Sequence, residues 1–201
     1  MERFENNYTS YSDEYNDLNL FKESSGVTLV KGILGAVVGA IPGFLLWLLI
    51  ARLGYVSAYC GLLIAAGSVY GYSFMTKKGD LSPAIGFVIC TLVLVVSVII
   101  AVRVDWAWEF AKFFDEEIYP EFLSEMQGYG LFTNAEIEEA YKESLKELYG
   151  FEEATFANCF KNLSTLVEYA DAKFDYTMDY VISGACGLFG AGVTYTKFIK
   201  K

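Results

Sequence analysis

Residues 31–44 read KGILGAVVGAIPGF, with glycine at 32, 35, 39 and 43 inside an apolar run. Glycine recurs at such short intervals for two reasons. A loop that wraps a phosphate needs it so that the backbone can approach the anion, and a helix pressed on another helix needs it so that two backbones can touch. The spacing separates these readings. A dinucleotide fingerprint has GxGxxG between a strand and a helix, and a P-loop has GxxxxGK followed by Ser or Thr; the stretch fits neither. Gly35, Gly39 and Gly43 are four apart, a double GxxxG that a helix keeps on one face, widened by Gly32, Ala36 and Ala40. No charge falls between Gly32 and Ala51, and twenty helical residues cover roughly 30 Å of hydrocarbon. The stretch therefore reads as a first transmembrane helix. Pro42 should bend it, because the ring removes the N–H that the carbonyl of Val38 would accept.

Working outward, three more uncharged runs follow. Gly54–Met75 holds Ser57, Tyr59, Ser68, Tyr70, Tyr72 and Ser73 and reads as a second span, joined to the first by a tight hairpin turn. Lys77 to Asp80 makes a turn, and Ser82 and Pro83 supply an N-cap and first helical residue for a third span, whose 84–102 run is the most apolar in the chain. Trp106 and Trp108 lie just beyond it, where an interfacial aromatic belt belongs. The run 180–196 is short and rich in glycine and alanine; it reads as a fourth span, with a half-inserted or interfacial helix as the other reading. The chain thus divides into a disordered polar tail (1–26), helices one to three (27–103), an acidic amphipathic helical segment (104–176), and a fourth span with a basic C-terminus (177–201).

Small residues answer the first stripe in two other spans: Gly61, Ala65, Gly67 and Gly71 in the second, Gly184 and Gly187 in the fourth. Such faces bring backbones together inside one chain, or form a seam between subunits or around a pore. Ser57, Tyr59, Ser68, Tyr70 and Tyr72 are the candidate lining of a passive polar path. Their alternative is hydrogen bonding within the bundle.

From Asp105 to Asp175 there are 17 acidic and 5 basic residues. Trp106, Phe110, Phe113 and Phe114 recur at helical spacing until Pro120, Gly128 and Gly130 break the pattern. Thr133-Asn-Ala-Glu136 is a capping box opening a helix with Ile137, Tyr141, Leu145 and Leu148 on one side, ending at Gly150. A further helix places Phe156, Phe160, Leu163, Leu166 and Val167 on one face. The acidic runs Asp115–Glu117 and Glu136–Glu139 lack the alternating ligands of a calcium loop and read as solvated faces.

Composition excludes several activities. The chain has 201 residues, 54% of them hydrophobic, and a net charge of −10, with its fifteen Lys and Arg scattered, so nucleic acid is not a partner. Histidine is absent, which removes Ser-His-Asp and Cys-His catalysis and histidine-held metals. No CxxC pair occurs among the four cysteines. No ionisable residue lies within the four spans, which argues against an ion-coupled transporter. No catalytic residue, cofactor or metal is expected. Counting basic residues near the spans gives seven on the side of the two termini and three opposite, so both termini are expected in the cytoplasm and 104–176 outside. Cys159, the cysteine outside the spans, should then meet an impermeant thiol reagent.

The stretch Gly32–Phe74, a glycine-rich span with IPG, the turn RLGYVSAY and then GLLIAAGSVYGYSF, resembles small uncharacterised multipass membrane proteins of low-GC Gram-positive bacteria. The likeness implies a bacterial plasma membrane and brings no activity with it. The expected fold is an all-α integral membrane bundle of four helices with an acidic extracytoplasmic segment between helices three and four. The expected function is non-enzymatic assembly, as an oligomeric scaffold or an accessory subunit, with membrane lipid and a second copy or membrane-protein partner around it. The alternative is a passive channel or lipid-handling protein using the glycine-rich hairpin.

Overall fold

The computed structural model describes residues 24–52, 60–77 and 82–199, and every regular element among them is helical. Helix α1 spans Ser25–Arg52, α2 Cys60–Met75, α3 Pro83–Phe113, α4 Tyr119–Gly128, α5 Asn134–Tyr149, α6 Phe156–Lys161, α7 Leu163–Tyr169 and α8 Lys173–Ile199. All but the last residues of the expected polar tail lie outside the described residues, and so do Ser57 and Tyr59. Ser25 and Gly26, read as tail, already belong to α1.

Helices α1, α2, α3 and α8 form a bundle in which α2 and α3 each touch the other three. Gly35 beside Gly71 and Gly39 beside Gly67 set α1 and α2 antiparallel. Leu94 beside Gly187 and Phe87 beside Tyr195 do the same for α3 and α8. Trp47, Ile64, Leu94, Val98 and Val102 fill the centre, with Ala40, Ala65, Ala101 and Ala191 between them.

Two helices are long and apolar enough to cross a membrane: Ser25–Ile50, and the continuous helix Pro83–Gly128, with mean hydropathies of 2.4 and 3.1 over their most apolar stretches. Length and composition do not single out the four that were expected. The described part of the second span is 16 residues, about 24 Å of helix. Helix α8 opens on Lys173, Asp175 and Asp179, and glycine and tyrosine dilute its apolar run. The two long helices are not shielded like the core of a water-soluble domain. Only 28% and 39% of their apolar stretches are buried, and Leu34, Val38, Leu45, Leu92 and Val96 all stand exposed.

Pro120 was expected to end a helix, and it does not. Helix α3 runs on into α4 through a π-helical turn, Phe114–Ile118, in which the N–H of Tyr119 donates to the carbonyl of Phe114, one residue further back than in an α-helix. Pro120 therefore enters where the hydrogen-bond register has already shifted, and its missing donor costs little. The same turn carries the Phe114 ring inward, against Tyr149 at 5.2 Å and Phe151 at 6.1 Å.

Helices α4 to α7 fold back on the outer part of α3 as a cap, with a core of Phe114, Tyr141, Leu145, Leu163, Leu166 and Val167. The capping box forms: Thr133 Oγ1 accepts from the N–H of Glu136, and the Glu136 carboxylate accepts from the N–H of Thr133 at 2.8 Å. Gly150 closes α5 at φ 81°, a left-handed turn that favours glycine. Three expected inner-face residues stay largely outside: Phe113, Leu148 and Phe156. The last expected helix is two, broken at Asn162, whose side-chain amide donates to the carbonyl of Asn158 at 2.9 Å.

Candidate functional site

The glycine faces meet across α1 and α2. A Cβ added at Gly39 would run into the carbonyl oxygen of Gly67, and one at Gly35 into that of Gly71; the reverse substitutions meet the same backbones. At Gly43 it would lie 2.6 Å from the amide nitrogen of Ile64, and at Gly32 2.6 Å from the Tyr72 ring. Gly61 faces the carbonyl of Ser183 across α2 and α8, Gly187 faces Leu94, and Ala65 is buried beside them. Gly184 takes no part, having nothing within 4 Å of an added Cβ. The sequence reading missed Gly86, which receives the Tyr72 ring, and Gly190, which receives Leu62. Gly86 stands alone in its span and offers no pattern. Gly190 sits one helical turn after Gly187, a signal that was there to be used.

The candidate polar path does not come together among the described residues. Ser68 is buried but donates to the carbonyl of Ile64 in its own helix, at 2.9 Å. Tyr70 is 64% exposed on the outer side. Tyr72 lies half-buried against Gly32 and Gly86, and packs on the same small cluster around Cys90 as Tyr195.

Where α3 leaves the bundle, an aromatic girdle ties it to the cap and to α8. Trp106 donates to the carboxylate of Asp179 at 2.7 Å and meets the Tyr176 ring edge-on at 5.5 Å. Arg103 donates to the carbonyl of Phe160 at 3.2 Å, with its guanidinium 5.1 Å from the centre of the Phe160 ring. Asp105 sits among these groups, its carboxyl pushed up to about 6 by burial and then by Glu109 and Asp179.

The cap holds a cavity of about 270 Å³ between α4, α5 and the turn before α6. Asp115, Glu138, Glu152 and Glu153 line it together with Lys142, and Phe114, Tyr119 and Tyr141 form aromatic wall. The Tyr141 hydroxyl is pushed up to about 12, first by burial, then by Tyr149 and Asp115. Comparison with family models, curated proteins and solved structures finds no match to this chain. Among the described residues no three acidic or cysteine side chains are placed to hold a metal ion. Cys159 lies outside the bundle as expected, but it is fully buried in the cap core, and burial pushes its thiol up to about 11. A protonated, shielded thiol does not react with an impermeant reagent, so labelling of Cys159 does not test the expected orientation.

Proposed function

We propose that the chain is a non-enzymatic integral membrane protein whose four-helix bundle anchors an acidic helical cap, and that it serves as an accessory subunit presenting the cap to a partner. Both termini lie in the cytoplasm and the cap faces outward, at a bacterial plasma membrane. What carries the reading is the exposed apolar jacket of α1 and α3, only 28% and 39% buried over their most apolar stretches. In water so large a surface would aggregate, whereas lipid covers it without cost. The glycine faces support a bundle closed within one chain, since Gly39 and Gly67 already occupy each other. Assembly with a partner then uses the cap or the outer apolar surface. Full-length protein in vesicles should stay with the lipid through an alkaline carbonate wash, and release into the supernatant would overturn the anchor. In place of Cys159, Glu147→Cys offers an exposed thiol on the cap. It should take an impermeant maleimide in intact cells above the parent background; labelling only after permeabilisation reverses the orientation.

One observation favours a second reading, lipid handling. A nearly apolar groove of about 610 Å³ runs along the α1–α2 hairpin, lined by Gly39, Pro42, Gly43, Leu63, Gly67 and Tyr70. Native mass spectrometry of protein purified in mild detergent separates the two readings. A retained phospholipid favours the groove, and a retained protein favours the accessory subunit.

A further inference from the structure

Helix α4 ends at Gly128 and α5 begins at Asn134, so the turn between them, Tyr129-Gly-Leu-Phe-Thr133, stands at the end of the continuous helix Pro83–Gly128. Three of its residues are large and apolar, and none is buried. Tyr129 is 63% exposed, Phe132 47% and Leu131 80%, the last more than any other large apolar side chain among the described residues. Helix α4, which leads into the turn, buries none of its own residues either. The turn is nevertheless held in one shape. The N–H of Gly130 donates to the carbonyl of Gln127 at 3.0 Å, the Gln127 amide donates to the side-chain oxygen of Asn134 at 3.1 Å, and the capping box fixes Thr133. A tip already ordered loses little conformational freedom on docking, and large apolar side chains on such a projection are the kind that anchor an interface.

The charge around the tip decides what can cover it. Residues 121–143 carry six glutamates and one lysine, and that lysine, Lys142, is paired with Glu138 at 2.7 Å. We infer that the tip docks into an apolar socket rimmed by Lys or Arg on a different protein, with Tyr129, Leu131 and Phe132 as the anchors and the flanking glutamates meeting the basic rim. The inference rests on the reading of the cap as the part presented to a partner. Other occupants fit less well. A second copy of this chain would bring two acidic tips together, and like charges across an interface are repelled. The bilayer is out of reach: on whichever side the cap lies, the 26 residues from Arg103 to Gly128 are about 39 Å of helix, and anionic lipid would repel the same glutamates. A socket without a basic rim would take the apolar side chains but strip water from the glutamates with nothing in exchange.

The test places the photo-crosslinking residue p-benzoylphenylalanine at Tyr129 of the full chain in its native cells and, separately, at Leu148, exposed at the other end of α5. From Tyr129 one discrete adduct with a different protein is expected, and mass spectrometry should map the crosslink to an apolar site flanked by Lys or Arg. Adding Leu131→Ser should lower the adduct yield by about tenfold, and the pair Glu125→Lys with Glu139→Lys by about threefold or more. All three side chains are exposed, so the melting temperature should stay as in the parent, which separates lost docking from lost folding. An adduct from Tyr129 to lipid, to a second copy, or to a surface without basic residues would overturn the inference, and so would a yield unchanged by Leu131→Ser. An adduct from Leu148 with none from Tyr129 overturns the tip as the docking site while leaving the cap presented to a partner. No adduct from either position overturns both.

Discussion

Where α1 meets α2 the touching atoms are backbone, Gly39 against Gly67 and Gly35 against Gly71. Where α4 meets α5 they are rings, Tyr141 at 5.0 Å from Tyr119 and 5.4 Å from Phe122. Outside, the two regions reverse: the bundle shows Leu, Val and Ile, and the cap shows Glu and Lys in exposed pairs such as Lys142–Glu138. With the bundle in the proposed membrane and the cap in water, a change of solvent accounts for this difference. In water, burying an aromatic ring is itself the drive, at about 25 cal/mol per Å² of apolar surface removed. In hydrocarbon that drive is absent, and helices gain by close approach, which only small residues allow.

The comparison is most easily broken at Gly39. Gly39→Leu drives a side chain into the Gly67 carbonyl and should cost more than about 3 kcal/mol, seen as loss of the monodisperse species on size exclusion in detergent. Unchanged elution and melting would mean that the glycine contact holds nothing. Next comes Leu166→Ala, deep in the cap core, expected to cost about 2–5 kcal/mol. Hydrogen exchange should then quicken across 119–169 and leave 25–52 and 60–75 protected. Uniform quickening would show that the two regions unfold as one, against the division drawn above.

A smaller effect probes the border. The carboxyl of Asp105 rises from 3.8 to about 6, so the folded chain keeps a proton that the unfolded chain has released. Stability should therefore fall as pH rises through that window. Asp105→Asn should be about 1 kcal/mol more stable than the parent at pH 7, once water screening at this half-buried site is allowed for, and no more stable at pH 3.5 or so. Melting curves at the two pH values check the sign. The smallest change is Gly184→Ala, where an added Cβ meets nothing. It should be neutral or stabilising by up to about 1 kcal/mol through helix propensity, and a marked loss would place Gly184 at a contact after all.

Parts of this were open to a reader of the sequence. The four-residue spacing of Gly35, Gly39 and Gly43 already specifies one helix face, and Thr133 with Glu136 and Gly150 already marks both ends of α5, because these are local rules. What escaped depends on register between elements. Pro120 looks like a stop until the π-helical turn before it is known, and Gly184 looks like Gly187 until α3 is seen to face only the latter. Cys159 reads as accessible because it is the cysteine outside the spans, and it is buried in the cap core, on the helix that packs against α3. The cap cavity escaped for the same reason: Asp115 and Glu153 are far apart in sequence, and nothing along the chain says that one turn faces the other across Tyr141.

The continuous helix Pro83–Gly128 has a mechanical consequence. Its 46 residues reach about 69 Å, more than twice the hydrocarbon thickness of a bilayer. With 84–102 inside the proposed membrane, everything beyond Arg103 is a lever arm rooted between α2 and α8. The π-helical turn, with its weaker hydrogen-bond geometry, is the point along that arm where it would yield first.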